Sequence, residues 1–376
     1  MTIIVVVMMF VMTLVVGTIL ALTPRLTPST ECFAVTVPQG ARDQEPLAGY
    51  LRTYTRVSVA VGIACALVWP LAYALGILGP IDASGSDALS WLIVATTLVP
   101  IATAFALMLH FRKLVQAHKA AQGWHATGTN AVAFVGPEEF PRPLPLWVNL
   151  AYLPLVAAMA AFAIAHYSDF PARIPMRFNL GGTVVYSTNK SLATVLFPVY
   201  LTAFLGIVFT ISHLGILRSK KPIDPNAPAS SALAYGRFAR TQSIALFVGG
   251  ILLSVTMGVT FFANTLGVLS TEATLAVIMF AAIAFAAAML VVSWRLGQVG
   301  ARVTAAPHTG SMPADNDEYW PLGVVYFNAN DPSIVVPKRF GVGWTLNLAR
   351  PGAWAIVAAL ALLIAGFALG MSVLVG

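Results

Sequence analysis

Residues 2–22 read TIIVVVMMFVMTLVVGTILAL, an unbroken apolar run without a single charge. A helix needs about 20 mostly apolar residues to cross a hydrocarbon core of about 30 Å. Backbone amides find no water there, so such a run must be helical. No basic residue precedes it and no small-residue cleavage site follows. It therefore reads as an N-out anchor rather than a secretory leader. Seven similar runs follow, at 57–79, 88–110, 148–167, 192–217, 243–266, 273–294 and 353–375. The expected fold is an all-α polytopic membrane protein of about eight transmembrane helices.

Composition agrees. Hydrophobic residues make up 58% of the 376 and charged residues 9%, against about 25% charged in soluble domains. The net charge of +7 forms no basic stripe with interleaved aromatics, so no nucleic-acid partner is expected. It is topological instead. Segments 23–56, 111–147, 218–242 and 295–352 carry 18 of the 21 Lys and Arg; Arg173, Arg177 and Lys190 are the rest. The positive-inside rule places those four segments in the cytoplasm, and both termini and loop 167–191 outside. The chain divides into 1–147 (three helices and two long cytoplasmic loops), 148–217 (a short external loop and its flanking helices), 218–304 (two helices) and 305–376 (linker, hairpin and last helix). The alternation of long and short loops suggests two four-helix halves.

The spans carry little chemistry. None holds Asp, Glu, Lys or Arg near its middle, which argues against ion-coupled transport. His213, the one histidine well inside a span, is expected to bond a neighbouring helix. His118 and His125 lie seven residues apart, about 10.5 Å along a helix, too far for one metal ion. Phe111–Trp124 reads as a juxtamembrane helix with Arg112, Lys113 and Lys119 near head groups. Cys32 and Cys65 lack CxxC spacing, so no disulfide, metal or cofactor is expected. Ser187-Thr-Asn-Lys190 fits S-x-x-K, but the companion motifs of that catalytic class are missing. No catalytic residue is assigned, and an enzyme using Ser187 and Lys190 stays an alternative. Small residues at spacing four, Ser254/Gly258 and Gly366/Gly370, predict close helix packing within the chain. Pro198 should kink the fifth span.

The external loop is unusually specified. Phe170–Gly182 reads FPARIPMRFNLGG. Pro171 and Pro175 stiffen it, and Gly181 and Gly182 allow a reversal. Arg177, Phe178 and Asn179 would be presented between them. Arg177 suits a carboxylate or phosphate.

This loop is similar to a bacterial membrane-protein signature, roughly P-x-x-I-P-x-H-F-N-x-x-G followed by an acid, an aromatic and a lysine. Pro171, Ile174, Pro175, Phe178, Asn179, Gly182, Tyr186 and Lys190 carry the match. Arg177 stands where that family has His, and its Asp, due near Val184 and Val185, is missing. The best-understood relatives are SdpI-type immunity proteins. The resemblance implies a bacterial inner-membrane protein that protects against a toxic peptide and signals to a regulator. From the loop itself, Arg177, Phe178, Asn179 and Lys190 are the candidate ligand contacts.

A second stretch, Gly323–Trp354, predicts a small cytoplasmic β-hairpin. Its strands would be Val324–Phe327 and Ile334–Val336, with the turn at Asn328–Pro332. It resembles an uncharacterised bacterial domain that commonly follows the first. Asn328, Asp331, Lys338, Arg339, Trp344 and Asn347 are its candidate head-group or docking residues, and Trp354 should sit near the interface. Ala305–Asp317 reads as a flexible linker. The expected partners are membrane lipid, an external toxic peptide and a cytoplasmic regulator. A small-molecule or lipid transporter is the main alternative.

Overall fold

The computed structural model describes residues 3–78, 86–126, 140–178, 184–224, 227–303, 312 and 315–375. Among these, eight helices are long and apolar enough to span a membrane. They are α1 (Ile3–Leu26), α2 (Leu47–Ala74), α3 (Ser86–Ala121), α4 (Tyr152–Ala165) together with the 3-10 segment Leu146–Ala151 that leads into it, α6 (Phe197–Leu217), α7 (Pro228–Thr265), α8 (Thr271–Leu296) and α9 (Pro351–Val375). A single turn, α5 (Leu192–Val195), precedes α6. Pro198 sits in the first turn of α6, where its missing N–H needs no partner. It starts the helix rather than kinking it.

The helices group as three, four and one, not as two equal halves. In the first group α1 lies on α2 and α3. A Cβ on Gly17 would meet the Gly62 Cα at 2.9 Å, so the α1 and α2 backbones touch there. Trp69 donates from Nε1 to Thr13 Oγ1 at 3.1 Å beside that contact. In the second group α4, α6 and α8 pack on α7, and α1 joins the groups through α8. Ser254 and Gly258 are buried there, with Met159 against Gly258. α9 stands at the edge, stacking Phe367 on Phe204 with ring centroids 4.4 Å apart. Gly366 and Gly370 face open space, so this second small-residue pair packs against nothing among the described residues.

The longest helices are α2, α3 and α7. At 1.5 Å per residue, the 36 residues of α3 and 38 of α7 reach about 54 and 57 Å. The surplus turns of α2, α3 and α7 all lie at the basic end of the bundle. The four basic segments meet there, as the alternating topology requires. Thr36 bonds Asp317, Lys220 bonds Asp331, and Gln298 bonds the backbone of Lys338 and Gly343.

Three two-stranded antiparallel sheets decorate the helices: β1 (Glu31–Cys32) with β2 (Val35–Thr36), β3 (Arg173–Phe178) with β4 (Val184–Asn189), and β5 (Val335–Pro337) with β6 (Trp344–Leu346). The last corrects the expected hairpin. Val335 and Val336 do form a strand, but pair with Leu346 and Thr345 across a turn. Gly341 and Gly343 take φ of +87° and +116° in that turn, which only glycine adopts readily. Tyr326 makes a lone parallel bridge to Asn347. The polar run Asn328–Pro332 is instead a loop closed around the Asn347 side chain.

Candidate functional site

The sequence placed candidate residues at both ends of the bundle. At one end the external loop is the β3–β4 hairpin. Its register pairs Arg173 with Asn189, Ile174 with Thr188 and Pro175 with Ser187, then shifts at Arg177. Ile174 is fully buried with Phe170, Val195, Val199 and Phe262, nailing the hairpin base to α4, α6 and α7. Lys190 donates from Nζ to the carbonyls of Phe170, Tyr167 and Ser168 at 2.8, 3.3 and 3.4 Å. Its ammonium lies 5.1 Å from the Tyr167 ring centroid. Lys190 therefore caps the preceding turn. Those three carbonyls occupy its donors. His166 Nδ1 bonds Asp169 Oδ2 at 2.9 Å, and that bond holds Asp169 below the usual carboxylate range.

Pro171 is exposed and Pro175 half-buried within β3. Arg177 is exposed, its guanidinium 5.5 Å from the Tyr186 ring centroid. Phe178 turns inward with Pro175 and Met176 over an apolar cavity of about 160 Å³. Val184, Val185 and Tyr186 of β4 are exposed. Asn179, Gly181 and Gly182 lie outside the described residues.

At the other end, charge is buried. The β1–β2 turn puts Phe33 and Ala34 at φ of +47° and +60°, a costly region for L side chains. Phe33 is held there by the rings of Tyr54, Phe111 and Phe340. Arg112 bonds the Ala34 carbonyl and, at 3.0 Å, that of Trp320. Asp317 accepts from the Thr36 N–H and hydroxyl at 3.0 Å each, from Lys119 at 2.7 Å and from Arg339. Burial would raise the Asp317 pKa, but Arg339 and Lys119 hold it below normal. Glu31 lies 3.5 Å from Arg339 Nε, yet its Oε2 has no partner. Burial pushes Glu31 up to about 7, and Arg339 offsets only part of that.

These contacts revise several sequence readings. Arg112, Lys119 and Arg339 are buried in the network rather than placed at head groups. Asp317, the end of the expected linker, is its centre. Asn347 is fully buried; its Nδ2 donates to the carbonyls of Asn328, Asp331 and Ser333, and its Oδ1 accepts from the amides of Asn328 and Ala349. Asp331 accepts from Lys220 and Tyr326. Burial would raise it, but these bonds and the Ser333 amide hold it at about 2. Trp344 packs on Phe238. Lys338 and Trp354 remain exposed. Lys338 edges a cavity of about 360 Å³ also lined by Glu31, Gln39, Lys220, Trp320 and Tyr326. His213, as expected, is buried and bonded: Nδ1 meets Asn149 Nδ2 at 2.8 Å and Nε2 meets the Leu144 carbonyl at 2.9 Å.

A family model described as a family of unknown function, DUF5808, matches residues 329–354. That segment holds most of the Asn347 loop, β5, the glycine turn, β6 and the start of α9. No curated protein and no solved structure matches the chain.

Proposed function

We propose that this chain is a non-enzymatic bacterial inner-membrane protein of the immunity or envelope-sensing kind. Its β3–β4 hairpin faces outward and meets a membrane-active peptide or lipid-linked ligand. The observation that carries this reading is the hairpin itself. It is a two-stranded platform anchored at its base by Ile174, with Arg173, Arg177 and the apolar side chains of β4 exposed. An exposed strand edge can add an extended peptide through backbone hydrogen bonds, and exposed arginines draw anionic groups to it. The location of 18 of 21 basic residues at the opposite end supports the outward orientation. The buried network and the DUF5808 segment would report to, or anchor, a cytoplasmic regulator, with exposed Lys338 at the contact.

Sidedness is the first test. In a cysteine-free background, Ser187→Cys should react with a membrane-impermeant maleimide in intact cells and Ser333→Cys should not. The reverse pattern removes the hairpin from any external ligand. With sidedness established, Arg177→Ala and Asn179→Ala should lower survival under toxic-peptide challenge at unchanged protein level.

A further inference from the structure

We propose that the cavity roofed by β3 is a phospholipid site, taking one hydrocarbon chain between α6, α7 and α8 with the phosphate against Arg177. This deepens the reading of the hairpin end as the recognition end and rests on it. The cavity is lined by Met176 and Phe178 of β3, Leu201 of α6, Phe261 of α7, and Leu275 and Ile278 of α8. These come from the first turns of α6 and α8 and the last turns of α7. The cavity therefore sits at the depth where acyl chains leave their head groups. Val277 and Phe280, on a different face of α8 from the lining residues, are exposed apolar residues, so the helix that walls the cavity itself borders the lipid.

Two polar features select an amphiphile over a plain apolar filler. Thr274 lines the cavity, is 8% exposed, and its hydroxyl has no partner. Several helical threonines elsewhere in the chain bond the carbonyl four residues back, as Thr260 and Thr265 do in α7. A buried hydroxyl left unpaired is destabilising; an acyl ester carbonyl at this depth would accept from it. Arg177 lies between the lining residues Met176 and Phe178, exposed and with no carboxylate partner among the described residues. A guanidinium there matches a phosphate. Arg173 adds a second exposed cation, whereas Asp169 is bonded to His166, so the charge favours an anionic head group. A peptide side chain could fill the volume, but the lipid bordering the α8 wall and the free hydroxyl at ester depth favour lipid.

The test uses the full chain in nanodiscs of phosphatidylethanolamine and phosphatidylglycerol, doped with phosphatidylglycerol bearing a photoactivatable acyl chain. Crosslinks are mapped by mass spectrometry. They should concentrate on Met176, Leu275 and Ile278. Thr274→Leu should reduce them about fivefold through loss of the hydroxyl bond. Leu201→Phe, which narrows the cavity from another wall, should reduce them about tenfold. Arg177→Gln should abolish the preference over an equally labelled phosphatidylethanolamine. Monodisperse elution and an unchanged melting temperature qualify each variant. Crosslinks spread evenly over all lipid-facing helices, or undiminished in both cavity variants, overturn the proposal. So does labelling of the cavity by a photoactivatable apolar peptide when the lipid gives none. No toxin is present in this assay. Loss of the peptide-protection reading with cavity labelling intact would therefore break only that reading.

Discussion

At one end of the bundle Arg112, Lys119 and Arg339 are buried against carboxylates and carbonyls. At the other, Arg173 and Arg177 are exposed and meet no carboxylate among the described residues. The residue types are alike and their work differs. The buried cations tie together segments far apart in sequence, so they are part of the fold. The exposed ones contribute little to packing and remain available to an anionic partner. Charge density alone would have pointed to the end where the cations are already paired.

The largest test of this contrast removes the hub of the buried network. Asp317→Ala leaves Lys119 and Arg339 buried with one anionic partner fewer each. It should cost about 3–5 kcal/mol, read as a lower melting temperature in detergent and lower yield. A neutral outcome would mean that water, rather than Asp317, satisfies those cations. Next comes pH. Glu31 has its pKa raised from 4.5 to about 7 in the folded protein, so folding favours its protonated form. Its contribution to stability is full below about pH 4.5 and is lost as pH rises through 7. The swing is on the order of 2–3 kcal/mol. Glu31→Gln should flatten the melting temperature across that window; an unaltered pH profile would assign the titration to another group.

Asn347→Ala is expected to cost about 2 kcal/mol by orphaning several buried backbone groups. Hydrogen exchange should then accelerate at residues 328–333, and unchanged protection there would show that the loop holds without its clamp. Smallest in stability is Arg177→Ala, within about 0.5 kcal/mol of the parent. The comparison is sharpened if that variant still loses peptide protection. A large drop in melting temperature would instead make Arg177 structural and erase the difference between the ends.

Helices inside the membrane were legible in the sequence because lipid admits no other open conformation for an apolar run. Of the helix ends at the basic side, the extension of α3 through Lys113 was legible as the helix expected from Phe111; those of α2 and α7, through Arg52 and Arg237, were not, since hydropathy gives no signal there. The β3–β4 hairpin was hidden by Pro175 inside a strand and by the register shift at Arg177, which breaks the alternation of faces. The last hairpin was misplaced because Asn328–Pro332 is a genuine turn closed by a side chain distant in sequence, Asn347. Arg339 read as a head-group anchor because its partners are distant in sequence, Glu31 in the first loop and Asp317 at the end of the expected linker. At the candidate site, the loop residues were visible as a motif. The cavity beneath them was not, since α6, α7 and α8 build it together.

The bond from Thr36 to Asp317 spans 281 positions of chain. At about 5–20 residues per second of synthesis, some 15–60 s separate the two residues at the ribosome. Through that interval the first loop, with Glu31, and the end of α3, with Arg112 and Lys119, have been made but cannot be locked. Closure waits for a segment lying immediately before the last helix. A chain cut short between α8 and Asp317 would insert most of its helices and leave its charged end unsealed, an open form that quality-control proteases could tell from the finished protein.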